Sequence, residues 1–436
     1  MKKNIYILAL FILLGIVVNS QNPNPALIGY WQNWNDVNAP YIPLDQIDSR
    51  YNIVAVSFAV PVFGTDYQME FVPDQISPPI LISQIQSLQS AGRKVIISMG
   101  GATAPISLDN LSERDTFIST MENIINTYGF DGIDIDLEGS SLSVTGGTIA
   151  LPTDTPIINL IYAVKQIMSD YYTLHNHHLI LTMAPETAFV QGGISAYGGI
   201  WGAYLPVIDA LRDSIDILQV QLYNSGSMYG IDGNVYSQGS ADFIVAMTED
   251  ILQGFNTSGG LFEGLPASKV AIGLPACPNA AGGGFADTAI VKAAIDYLRG
   301  IGPQPGSYSL MQSGAYPQLR GMMTWSVNWD AVSTCASAYQ YAENFETIFG
   351  ISNTVSDLHL TQNSFTEYPN PANDFITIDY FGIDEDNEFI QIFNSLGVNV
   401  CSKEILSGHN EISVFNLKSG VYFMKWKELF RKIIKQ

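Results

Sequence analysis

From Phe130 to Gly139 the chain reads Phe-Asp-Gly-Ile-Asp-Ile-Asp-Leu-Glu-Gly, with acids at every second position of an apolar run. Side chains of an extended strand alternate between faces. Ile133, Ile135 and Leu137 therefore share one face, and Asp134, Asp136 and Glu138 share the other. Successive acids on that row start from Cα atoms roughly 6.5 Å apart. Three carboxyl groups in a partly buried row cannot all ionise cheaply, so at least one holds a proton at neutral pH. A carboxyl kept protonated beside ionised neighbours is what acid-catalysed cleavage of a glycosidic bond needs. The same spacing imitates the start of a calcium-binding loop. Apolar residues fill the intervening positions, however, and Thr145 stands where a bidentate Glu is required, so no metal and no cofactor are expected.

The elements that must hold this row are short and regular. Apolar runs occur at Ala26–Trp31, Ile53–Ala59, Lys94–Met99, Gly132–Leu137, His178–Met183, Asp216–Leu222, Lys269–Leu274 and Gly321–Ser326. Their near-continuous apolar character suits parallel strands covered on both faces. Stretches with helical period lie between them. One places Phe117, Ile118, Met121, Ile124, Ile125 and Tyr128 on a single face, with Ser112-x-x-Asp115 as its expected capping signal. Eight βα units predict an α/β fold, a (β/α)8 barrel, whose chemistry sits at the carboxyl ends of the strands. The acid row ends the fourth strand.

The motifs at the strand ends resemble glycoside hydrolase family 18, the chitinases and their relatives. Asp131, Asp134, Asp136 and Glu138 meet the D-x-x-D-x-D-x-E signature, and Ser98-Met-Gly-Gly101 meets S-x-G-G. Met183-Ala-Pro-Glu, Gln221-Leu-Tyr-Asn224 and Gly321-Met-Met-Thr-Trp-Ser-Val-Asn-Trp-Asp330 follow in order. The resemblance implies that Glu138 protonates the glycosidic oxygen and that the substrate's own N-acetyl carbonyl attacks the anomeric carbon. This departs from the scheme with an enzyme carboxylate as nucleophile. It further implies that Asp136 orients the acetamido group, that Asp134 shares its charge and proton, and that Tyr223 donates its hydroxyl to the acetamido oxygen. Trp325 would floor the site, and Met183, Gln221 and Asn224 would contact substrate. Trp31, Trp34 and Trp201 are further stacking candidates, with plain packing as the competing reading. Ser98, Gly100 and Gly101 are expected to support the site and permit close approach. The implied substrate is chitin or N-acetylglucosamine oligosaccharides; the alternatives are a glycosidase acting on glycoprotein N-glycans and a non-catalytic chitin-binding lectin. Residues 275–320 leave no room for the small α/β insertion of one family branch, which predicts an open groove and internal cleavage.

Four hundred and thirty-six residues predict more than one domain. Residues 1–20 read as a signal peptide: Lys2 and Lys3, an apolar run from Ile5 to Val18, and small residues before a cut at Gln21. Membrane insertion is not expected once it is removed. Residues 21–350 form the barrel, 351–364 a polar linker, and 365–436 a small antiparallel β-sandwich with alternating strands. Tyr368-Pro-Asn-Pro371, Ile392-Phe-Asn-Ser-Leu-Gly397, Ser419-Gly-Val-Tyr422 and Lys432-Ile-Ile-Lys435 in the tail resemble the type IX secretion sorting domain. That resemblance implies a partner in the secretion machinery and a secreted or cell-surface protein; a chitin-binding module is the alternative. The formal charge of −22 argues against nucleic acid as a partner. Of three cysteines, Cys277 and Cys335 fall where adjacent βα units could join them, and two buried free thiols are the favoured expectation.

Overall fold

Most apolar runs become strands because a buried backbone must pair its N–H and C=O groups, and Val- and Ile-rich segments fit a pleated, covered surface. In the computed structural model the described residues are 22–312, 314–333 and 337–350. In the tail they are 364–368, 371–381, 388–394, 397–405, 408–426 and 429–435. The expected signal peptide and all but the last residue of the expected linker lie outside them. The chain divides into two compact units between residues 352 and 353.

In the first unit, eight parallel strands run β1 (Ala26–Gln32), β2 (Ile53–Pro61), β3 (Lys94–Gly100), β4 (Gly132–Asp136), β5 (Ile180–Met183), β6 (Ile217–Leu218), β7 (Ala271–Pro275) and β8 (Gly321–Trp325). Their order is β7-β8-β1-β2-β3-β4-β5-β6. Parallel bridges Leu218 to Val270 and Gln221 to Gly273 close β6 onto β7, completing the barrel. The sixth strand is regular over two residues only, shorter than the apolar run. Beyond it, single backbone bonds from Gln219 to Met183 and from Leu222 to Gly273 hold the chain in place.

Helices α1 (Pro78–Ser90), α2 (Leu111–Tyr128), α3 (Thr155–His175), α4 (Leu205–Leu211), α5 (Ala241–Gln253), α6 (Thr288–Arg299) and α7 (Gln340–Phe349) follow β2 to β8 in turn. Between β1 and β2 there is only a single 3-10 turn, Leu44–Gln46, so the first unit departs from the expected βα pattern. The α2 face is the expected one, with Phe117, Met121, Ile124, Ile125 and Tyr128 buried. Its cap is not: Asn110 accepts from the Ser112 and Glu113 N–H groups, so the helix starts before the Ser112 signal.

Alternation sorts the strand side chains. Ala26, Ile28, Tyr30, Ile53, Ala55 and Ile96 pack inside the barrel, whereas Leu27, Trp31, Val54, Val56, Ile133 and Leu181 join the larger core. Cys277, just beyond β7, is disulfide-bonded, which corrects the expectation of free thiols. Cys335 lies outside the described residues, and Cys401 is free.

In the second unit a three-stranded and a four-stranded sheet, both antiparallel, enclose a core that includes Ile376, Ile378, Ile390, Ile392, Ile412 and Met424. Among the described residues no helix is long and apolar enough to cross a membrane.

Candidate active site

The inward row of β4 meets the rest of the site through hydrogen bonds. Asp134 is fully buried and accepts from the Tyr30 hydroxyl (2.5 Å), Ser98 Oγ (2.7 Å), Thr182 Oγ1 and Gln219 Nε2 (3.1 Å). Burial pushes its carboxyl up, and these four donors oppose that push. Burial outweighs them, so the carboxyl lies above the ordinary carboxylate range. Asp136, one step along, is raised well above the usual carboxylate range by burial, then by the charges of Glu138 and Asp134. Burial also raises Glu138, against a hydrogen bond from Gln221, while the charge of Glu186 adds to the rise.

Gln221 ties the upper two acids together. Its Nε2 donates to Asp136 Oδ1 (2.9 Å), Glu138 Oε1 (3.0 Å) and the Ala184 carbonyl (3.0 Å). A hydrogen bond also links Asp136 and Glu138, and it favours the protonated form of Asp136. Burial thus favours protonation along the row, and the bond to Glu138 favours holding a proton on Asp136. Burial and the nearby acids raise the Tyr223 and Tyr30 hydroxyls well above their ordinary value, so both remain neutral donors.

Above the row opens a cavity of about 590 Å³, lined by Asp136, Glu138, Gln221, Tyr223, Asn224, Trp325, Trp34, Gly100 and Gly101 among others. Trp325 stacks on Phe58 (5.8 Å between centroids, 15° between planes), and Trp34 stacks on the same ring (6.3 Å, 29°). Glycine is required at both lining positions, each in the left-handed region. A Cβ on Gly100 would sit 2.5 Å from the Asp136 carbonyl oxygen, and one on Gly101 would press the Phe58 ring. Asp131 serves elsewhere, accepting from Val95 N–H and Gln89 to tie the start of β4 to its neighbours.

Two expected substrate contacts, Trp31 and Met183, are corrected. Trp31 is fully buried on the outward face of β1, its Nε1 donating to the Ile42 carbonyl. Met183 faces the outer core by the same alternation, while Thr182 beside it points inward to Asp134. Trp201 packs over Gly192, exposed at the surface and outside the wall of this cavity. Ser98 acts below the cavity, through Asp134. Tyr30, Thr182, Gln219 and Phe58 were not anticipated. The parity that placed the acids would have found Tyr30, two residues from Ile28 on the inward face. Phe58 carries no such signal, because a bulge between Ser57 and Ala59 turns it.

Among the described residues no group of three or more His, Cys, Asp or Glu is arranged to hold a metal. Residues 366–436 match the secretion system C-terminal sorting domain, which directs the chain to the cell surface or the medium. A chitinase of Paenibacillus xylanexedens is 47% identical over 322 residues, 72% of this chain and 60% of that protein. Chitinase ChiA of Flavobacterium johnsoniae is 33% identical over 421 residues, 90% of this chain and 26% of that protein. The chain thus spans only part of the length of the curated relatives it matches. The crystal structure of a family GH18 chitinase from Chromobacterium violaceum superposes with a TM-score of 0.66 at 34% identity, covering 74% of this chain and 83% of that one. With residues 26–356 matching the family and the barrel carrying the acid row on its fourth strand, the chain belongs to glycosyl hydrolases family 18.

Proposed function

We propose that the barrel is a chitinase that hydrolyses β-1,4 bonds between N-acetylglucosamine units with retention, Glu138 being the general acid. The observation that carries this reading is the row of Asp134, Asp136 and Glu138, with Gln221 bonded to the upper two, at a cavity floored by Trp325. When substrate binds, Asp136 passes its proton to Glu138 and, now ionised, accepts the acetamido N–H, so that Glu138 is protonated against the glycosidic oxygen. The acetamido carbonyl then attacks the anomeric carbon as Glu138 releases its proton to the leaving oxygen. An oxazolinium ion forms, and water opens it with Glu138 as base. Tyr223, a neutral phenol on the same wall, steadies the carbonyl in a near-attack geometry.

Residues 21–350 are the catalytic domain in this reading, 351–364 a linker and 365–436 a sorting domain that engages the secretion machinery. The open cavity favours internal cleavage. Chitin oligomers with intact acetyl groups should be cleaved and fully deacetylated chitosan should not, while a thiazoline mimic of the oxazolinium should inhibit. Glu138→Gln should lower activity at least ~10²-fold with oligomer binding retained. Efficient cleavage between two glucosamine units would refute the internal nucleophile. Release of a high-mannose glycan from a glycoprotein, with no action on chitin oligomers, would replace the substrate.

A further inference from the structure

One wall of the cavity comes entirely from residues 33–74: Asn33 and Trp34 after β1, Ser57 and Phe58 on β2, then Glu70 and Asp74. Its polar side chains offer acceptors. Among the described residues neither Glu70 nor Asp74 forms an ion pair, and no residue lining the cavity is basic. The Asp74 carboxylate accepts from one neutral donor, the Gln75 amide at 2.7 Å, while the Asp74 N–H donates to Asn33 Oδ1 at 3.1 Å. Ser57 is fully buried, borders the cavity, and its Oγ has no hydrogen-bond partner. Beside these acceptors lie the stacked faces of Trp34 and Phe58.

A neutral acetamide brought to this wall displaces water from two carboxylates and returns a single N–H. An ammonium returns three donors and a charge, and it is also attracted to an aromatic face. We propose that this wall is a subsite for a glucosamine unit, so that the preferred substrate is partly N-deacetylated chitin, bound with an ammonium at Glu70 and Asp74 and with an acetylated sugar at the reacting position. The proposal rests on the chitinase reading, but its test uses binding and so is independent of turnover.

The Glu138→Gln chain would be titrated in mildly acidic buffer with fully acetylated hexamer and with hexamers carrying one glucosamine at each position in turn. One position should bind roughly 3- to 10-fold tighter than the acetylated chain, the range that two exposed ion pairs supply. That preference should vanish in a Glu70→Gln, Asp74→Asn double variant and shrink at high salt. Equal or weaker binding of every glucosamine-containing hexamer, a preference that survives the double variant, or no binding of any hexamer would each overturn the proposal. Failure of the chitinase reading shows separately, as wild-type protein that leaves the acetylated hexamer uncut.

Discussion

Gln221→Met tests the proton arrangement more sharply than removal of any acid. The substitution nearly preserves volume but deletes the Nε2 that donates to Asp136 (2.9 Å), Glu138 (3.0 Å) and the Ala184 carbonyl (3.0 Å). The bonds to the two acids stabilise their ionised forms, so their loss must raise both groups further above the ordinary carboxylate range. A hydrogen bond to a charged group is worth about 1.5–3 kcal/mol net, and one pKa unit is about 1.4 kcal/mol. Because the two acids titrate as a pair and water can enter beside methionine, a rise of about one unit is expected in the apparent value. In the proposed mechanism Glu138 acts protonated, so the alkaline limb of kcat/KM should move up by about one pH unit. Loss of orientation should lower kcat roughly 10-fold at the same time. The assay is a pH profile on a soluble chitin oligomer, wild type against variant. A limb that stays fixed or moves down while kcat falls would refute the assignment of the shared proton.

The remaining expectations are simpler. Trp325→Ala removes the ring stacked on Phe58 and should weaken oligomer binding about 30-fold, the equivalent of ~2 kcal/mol, as read by calorimetry. Glu249→Gln should lower the melting temperature by about 5 °C. The buried Glu249 accepts from the Tyr308 and Tyr316 hydroxyls and from the Met311 and Gln312 N–H groups, so an amide in either orientation opposes a backbone donor that cannot turn away. Deleting residues 365–436 should leave hydrolysis of soluble oligomers nearly unchanged while the protein stays inside its host. Export with loss only of binding to insoluble chitin would instead favour a binding module.

The acid row was legible because period-two alternation is a local rule, and a strand obeys it wherever it lies. The same rule carries Tyr30 inward and Trp31 outward, yet the indole invites attention as a stacking residue while the phenol does not. Met183 was misplaced for a related reason: a motif names neighbours along the chain, whereas a barrel wall separates adjacent residues onto opposite faces. The barrel itself followed from eight apolar runs. The missing helix after β1 and the two-residue sixth strand did not, because both depend on how distant segments pack. Phe58 marks the limit. A bulge sets its direction, and nothing in the run from Ile53 to Pro61 announces one.

The aromatic floor gives this protein an optical handle. Trp34 and Trp325 stand 6.2 Å apart in one aromatic cluster lining the cavity and share Phe58 as a neighbour. Two indoles at that separation couple their electronic transitions and should give a paired band in near-ultraviolet circular dichroism. A sugar laid on either ring changes both its polarity and its exposure to quenchers. Occupancy of the site can therefore be followed on the unlabelled chain, in the same sample that is being assayed for products.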